Sequence, residues 1–189
     1  MYLIFYRGYY LSRKNIFIVG FSGSGKTTVG AEVANLLQWK FIDIDQQIVN
    51  KTSKSIAEIF KLNKGEQYFR EIEKATLKEL IHFENQIIST GGGIILDEGN
   101  LRSMLDNGYV ICLDADPNTI LNRLNLQSLS SDNIVRPLLD SDDQLEKIIK
   151  LKNERDPIYK KSDYIIKTDG LTPREISNQI IDHWVKISS

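Results

Sequence analysis

The run Gly20-Phe21-Ser22-Gly23-Ser24-Gly25-Lys26-Thr27 matches G-x-x-x-x-G-K-S/T in full. Before it lies an apolar, β-branched stretch, Asn15–Gly20 (NIFIVG), that reads as a buried strand. After it, residues 26–38 carry Val29, Val33, Leu36 and Leu37 on one helical face. Strand, glycine-rich turn and helix in that order form the context that gives the motif its meaning. The glycines let backbone N–H groups turn toward phosphate oxygens without a Cβ clash, and the helix N-terminus adds a favourable dipole. Lys26 then reaches the β- and γ-phosphates, and the Thr27 hydroxyl is a ligand for Mg²⁺. The plain alternative is a Gly-rich strand–helix turn with no ligand; the complete motif in its context favours phosphate.

The rest of the chain repeats this alternation. Residues 40–44 (KFIDI), 86–90 (QIIST), 109–113 (YVICL) and Tyr164–Lys167 read as further strands. Helical patterns run over residues 26–38, 66–83 and 145–153, and residues 101–106 belong to another helix. Ser55-Ile56-Ala57-Glu58 has the capping-box form, Asp116 precedes a Pro at a first helical position, and Thr172-Pro173-Arg174-Glu175 opens the last helix. Strand and helix alternating about five times predict an α/β fold, a parallel sheet with helices on both faces. Ligands in such sheets lie at the carboxyl ends of the strands. Function is therefore to be sought at Gly20, 43–45, 90–93, 114–116 and 168–169. The most loop-like stretch is 125–143, rich in Ser, Asp and Asn around Arg136-Pro137.

Charge and cysteine usage narrow the classes. Across 189 residues, 24 Lys+Arg face 25 Asp+Glu, which argues against a nucleic-acid arm or a polybasic membrane patch. A single cysteine, Cys112, makes an intrachain disulfide or a Cys-based zinc site impossible; a reducing, cytoplasmic setting follows. Cys112, His82 and His183 read as structural. Residues 1–11 (MYLIFYRGYYL) are apolar but broken by Arg7 and Gly8, far short of the ~20 residues that span a bilayer, and they lack the order of a signal peptide. Residues 1–14 are read as an N-terminal extension, and 15–189 as one domain. The guanine-reading N/T-K-x-D pattern and the D-x-x-G switch pattern are missing, so among phosphate-loop proteins a compact small-molecule kinase remains.

Three further clusters carry chemistry. Asp43 and Asp45 close the second strand, where alternation puts them on one face with Phe41. Two adjacent carboxylates need a cation or donors, which Mg²⁺ and substrate hydroxyls supply; the plain alternative is capping of the next helix by Asp45. Arg70 and Glu73 are i, i+3 neighbours within Gly65-Glu66-Gln67-Tyr68-Phe69-Arg70-Glu71-Ile72-Glu73. They are either a surface ion pair of little worth or a guanidinium held ready for a substrate carboxylate. Ser89-Thr90-Gly91-Gly92-Gly93 leaves bare N–H groups at the end of the third strand, and the following Ile94-Ile95-Leu96 does not alternate like a hairpin arm.

With Arg136-Pro137-Leu138-Leu139 and the E-R-x-P-x-Y of residues 154–159 added, the ordered set resembles shikimate kinase, over about residues 15–184. That resemblance implies the nucleoside monophosphate kinase-like P-loop fold, with a five-stranded parallel sheet and a mobile lid at about 123–143. It implies ATP and Mg²⁺, with shikimate as the substrate and its 3-hydroxyl as acceptor. Gly23, Ser24, Gly25, Lys26, Thr27 and Thr28 would hold the nucleotide, with Arg123 against adenine. Thr27 and, through water, Asp43 would hold Mg²⁺. Asp45 would take the hydroxyls of shikimate, and Arg70 and Arg155 its carboxylate. Gly92 would offer an N–H, with Gly91 and Gly93 shaping the loop, and Glu73 would orient Arg70. Arg136 would swing in with the lid and neutralise the phosphate. The chain is expected to act as a monomer and, on its balanced charge, with no nucleic-acid or membrane partner. The N-terminal extension and the long, Ser-rich stretch between Arg123 and Arg136 depart from the family pattern. Two alternatives remain at this stage: another hydroxy-acid kinase of the same fold, such as one for gluconate, and a nucleotide-binding module without turnover.

Overall fold

The computed structural model describes residues 5–6, 9–10, 15–129 and 143–188. Strands β1 (Phe5–Tyr6) and β2 (Tyr9–Tyr10) form a short antiparallel pair apart from the main sheet. The main sheet is built on β3 (Asn15–Gly20), buried along its whole length. β3 lies at the centre of five parallel strands in the order β4-β5-β3-β6-β7, with β4 Lys40–Asp43, β5 Gln86–Ser89, β6 Tyr109–Asp114 and β7 Tyr164–Lys167.

A central strand covered on both faces must be apolar on both, and NIFIVG is. Alternation divides it. Phe17 and Val19 join the core under α2 (Ile44–Thr52), α4 (Gly65–Leu80) and α5 (Glu98–Asn107), through Ile48, Leu77 and Met104. Ile16 and Ile18 join the opposite core under α1 (Lys26–Leu37) and α8 (Pro173–Ser188), through Val29, Val33, Ile176 and Ile180. Each such side chain contributes about 1.5–3 kcal/mol on burial, so the two-sided core fixes β3 firmly and, with it, the loop at its carboxyl end. A smaller core of Phe21, Ile120, Leu124 and Ile148 joins that loop to α6 (Pro117–Leu129) and α7 (Gln144–Tyr159). The short α3 (Ile56–Phe60) leads into α4 and opens with a complete capping box, Ser55 and Glu58 exchanging bonds.

Several expected boundaries move. The second main-sheet strand ends at Asp43, not Ile44, because the Asp43 carboxylate accepts the Gln46 N–H at 3.3 Å and starts α2. Asp45 therefore sits in the first turn of a helix, so Asp43 and Asp45 do not share a strand face, and the cap is Asp43 rather than Asp45. Residues 125–129, read as loop, continue α6; of the lid span 123–143, residues 130–142 lie outside the described residues. The helix expected over 145–153 runs through Pro157 to Tyr159. A proline so near the helix end forfeits one backbone bond in the last turn, where the ladder is already giving out. Ile94–Leu96 is a 3₁₀ turn and not a hairpin arm.

Candidate active site

The carboxyl ends of β3, β4, β5 and β6 converge with the N-termini of α1 and α2. The phosphate loop closes on itself: Ser24 N–H donates to the Phe21 carbonyl at 3.2 Å, and Lys26 Nζ donates to the same oxygen at 2.9 Å. Gly25 caps α1 with a φ of 99°, a left-handed conformation that a Cβ would strain. Lys26 is 8% exposed, so its charge is largely removed from water. Thr27 and Thr28 follow in the first turn of α1, both exposed. The Thr27 hydroxyl donates to Asp43 Oδ2 at 2.8 Å, which unites the end of β4 with the phosphate loop. Among the described residues no cluster of three or more His, Cys, Asp or Glu could hold a metal. The Thr27–Asp43 pair offers hard oxygens only, which suits Mg²⁺ completed by water and phosphate.

Arg123 lies on α6 beneath the phosphate loop. It donates to the Ser24 carbonyl at 3.2 Å and to both the hydroxyl and the carbonyl of the fully buried Thr168 at 3.3 Å. It is therefore built into the nucleotide side, and is not the solvated charge that its spacing alone allows.

The second half of the site gathers around the three glycines. Arg70 Nη1 donates to Glu73 Oε2 at 2.6 Å, and the Glu73 side chain is 0% exposed. This settles the choice against a surface pair. A Cβ on Gly91 would collide with Glu73 Oε1 and stand 3.0 Å from Asp45 Oδ1. A Cβ on Gly93 would collide with the Arg70 guanidinium. Asp45, Arg70 and Glu73 thus meet over the glycine loop. Burial pushes the Glu73 carboxyl up to about 7, against the pull of Arg70; Asp45 adds to the rise and Arg155 opposes it. Arg155, 8% exposed, approaches from α7; its Nη1 donates to the Gly92 carbonyl at 3.4 Å, and its guanidinium carbon sits 5.3 Å from the Phe21 ring centroid. A cavity of about 340 Å³ opens on the α5 side of Arg70, lined also by Glu73, Gly93, Ile94 and Asn100. Arg136 lies outside the described residues.

Two features were not foreseen. Tyr159, one turn after Arg155, donates its hydroxyl to the Gly92 carbonyl at 2.6 Å. The signal was present in the E-R-x-P-x-Y spacing, which places the Arg and the Tyr at i, i+4. Lys152, 8% exposed, joins Asp114 at 2.7 Å to Asp156 at 2.9 Å, and Lys167 also pairs with Asp114. Burial alone would raise the Asp114 carboxyl, but hydrogen bonds from Lys152 and Lys167 outweigh it and hold the group below the usual range.

The shikimate kinase family model matches residues 22–184, most of the chain. The chain belongs to the shikimate kinase family. A shikimate kinase of Caldicellulosiruptor saccharolyticus is 42% identical over 176 residues, covering 93% of this chain and 98% of that protein. A shikimate kinase of Thermodesulfovibrio yellowstonii is 39% identical with the same coverage. Among solved structures, the shikimate kinase of Acinetobacter baumannii in complex with shikimate superposes with a TM-score of 0.84, at 33% identity, covering 93% of this chain and 95% of that one. Family membership thus confirms the P-loop kinase fold and the phosphotransferase class. No described helix is long and apolar enough to cross a membrane.

Proposed function

We propose that this chain transfers the γ-phosphoryl group of ATP to the 3-hydroxyl of shikimate, in the pathway to the aromatic amino acids, with its own residues in the following roles. The observation that carries the reading is the meeting of Asp45, Arg70 and Arg155 around one glycine loop, directly beside the phosphate loop. That arrangement presents one carboxylate to hydroxyls and two guanidinium groups to a carboxylate. It complements a small hydroxy acid, in keeping with the family to which the chain belongs.

Lys26 releases the Phe21 carbonyl and takes phosphate oxygens. Gly23, Ser24, Gly25, Thr27 and Thr28 line the phosphates, and Arg123 supports adenine. Thr27 and Asp43 would hold Mg²⁺, which when bound would supply positive charge against the phosphates. Asp45 orients the 3-hydroxyl toward the phosphoryl group and receives its proton as the bond forms. Arg70, braced by Glu73, and Arg155 grip the carboxylate of the acid. The Gly92 N–H takes an acceptor hydroxyl, while Gly91 and Gly93 leave room for Glu73 and Arg70. Arg136 adds positive charge at the transferred group. Phosphoryl transfer demands alignment and charge neutralisation more than a strong base, and these residues supply both. The same reading has residues 15–189 act as one domain and the region around Arg136 as the lid. It has the chain work as a cytoplasmic monomer with no nucleic-acid or membrane partner, in keeping with its near-neutral charge.

The test is ADP release from Mg-ATP in a coupled assay, with shikimate, gluconate or no acceptor. Stimulation by shikimate alone is expected. Stimulation by gluconate instead, or ATP binding with no acceptor effect, would reject the acceptor assignment while leaving the fold intact.

A further inference from the structure

Three successive glycines have no side chains to restrain their torsions, so whatever fixes them must come from their neighbours. The Gly91 carbonyl accepts from Ile94 N–H at 3.2 Å, and the Gly93 carbonyl from Leu96 N–H at 3.1 Å. Those two locks lie within the loop and its own 3₁₀ turn. The Gly92 carbonyl is held from outside, by the Tyr159 hydroxyl at 2.6 Å and by Arg155 Nη1 at 3.4 Å, both from α7. The two donors are unequal: the phenol bond is short, and the guanidinium bond is at the limit of a useful one. Gly92 also presses on the phosphate loop, since a Cβ there would stand 3.1 Å from Ser22 N and 3.4 Å from the Gly20 carbonyl. The peptide after Gly92 is therefore the point where α7, the glycine loop and the phosphate loop meet.

We propose that Tyr159 is a positioning residue for the acceptor: its hydroxyl keeps the Gly92 carbonyl satisfied and the Gly92–Gly93 peptide fixed, so that Arg155 is free to leave that carbonyl for the substrate carboxylate. The inference rests on the acceptor reading above. Gly92 is only partly exposed and leaving its carbonyl without a donor carries a cost, so without the phenol Arg155 becomes the remaining donor and is held back from the substrate. The phenol suits this task because it is only 5% exposed, and burial raises its ionisation far above neutrality, so it remains a donor. Arg155 and Tyr159 stand four residues apart, on one face of α7, so the donor that stays and the donor that leaves move with the same helix.

The experiment is a double-mutant cycle with Tyr159→Phe and Arg155→Ala, reading KM for each substrate, kcat and the melting temperature. Tyr159→Phe should raise KM for shikimate about tenfold, the equivalent of one lost hydrogen bond. KM for ATP should stay within about twofold, and kcat should fall less than KM rises. In the Arg155→Ala background the same change should have little further effect on KM, because the guanidinium it would restrain is gone. Additive effects, an unchanged shikimate KM, or equal effects on both substrates would overturn the proposal. Should Tyr159→Phe fold poorly, 3-fluorotyrosine at position 159 keeps the shape and strengthens the donor. It is expected to bind shikimate at least as well as the wild type, and weaker binding would count against the proposal. A wild type that turns over without responding to shikimate would instead overturn the acceptor reading, and this inference with it.

Discussion

Glu73 shows how one residue's surroundings set its chemistry. Its Oε2 is tied to Arg70, while its Oε1 is buried, receives no hydrogen bond among the described residues and faces Gly91 beside Asp45. A carboxyl pushed up to about 7 by burial is largely protonated in the folded chain between its ordinary value near 4.5 and neutrality, where the unfolded chain has already lost the proton. The native state then holds more protons than the unfolded state, so stability from this group falls as pH rises through that window and levels off above it. Glu73→Gln removes the titration. Its stability relative to wild type should climb from pH 5 to about 7 and then stay flat, as measured by denaturant midpoints. A constant difference across that range would show that Glu73 does not titrate there. The proposed roles divide the cations of the site by substrate. Arg70→Ala should raise KM for shikimate roughly tenfold or more, since hydrogen bonds between charged groups are worth about 1.5–3 kcal/mol, and should leave ATP affinity alone. Lys26→Ala should lower kcat by roughly 10²–10³, as removing one preorganised donor to developing charge does elsewhere. Steady-state kinetics with each substrate varied in turn checks both.

At the scale of elements, α4 and α7 carry the residues proposed to hold the acceptor, and each is held by a contact that substitution can break. α4 begins at Gly65, where a Cβ would collide with the Ile59 carbonyl and stand 2.8 Å from Phe60. Because those are backbone atoms of the preceding α3, they cannot yield as a flexible side chain would. Gly65→Ala should therefore destabilise the fold by about 2 kcal/mol or more and loosen Arg70, read as a lower melting temperature with a raised shikimate KM. α7 is tied to the sheet by Lys152, which bridges Asp114 on β6 and Asp156 one turn along. Lys152→Met removes the cation from two carboxylates. Breaking a buried pair costs about 3–5 kcal/mol. The expected loss here is lower, about 2 kcal/mol, because Asp114 keeps Lys167 and Asp156 is partly exposed. Chemical denaturation measures it directly.

For the whole molecule, legibility followed the range of the interactions. The phosphate loop, the five main strands and the capping boxes at Ser55 and Thr172 depend on neighbours within a few residues, and they can be read from the chain. The strand order, with β3 central between β5 and β6, depends on pairings far apart in sequence and was not legible. Asp45 falls in the helix and not on the strand because a single competing bond, Gln46 N–H to Asp43, turns strand into helix one residue early. Tyr159 stands within the E-R-x-P-x-Y motif, and the spacing shows that it shares a helix face with Arg155, but its partner, a backbone carbonyl 67 residues away, is set by tertiary packing. Arg155 was legible only through resemblance, since its bond to the Gly92 carbonyl joins residues 63 apart in sequence. The proposed acceptor half of the site is thus a product of tertiary packing around a phosphate loop written locally in the chain. A crystal structure with Mg-ADP and shikimate tests that account most directly. It should show both guanidinium groups, of Arg70 and Arg155, on the acid's carboxylate, the Asp45 carboxylate on the 3-hydroxyl, and Tyr159 still on the Gly92 carbonyl. A carboxylate bound away from Arg70 and Arg155, or a 3-hydroxyl turned from Asp45, would contradict it.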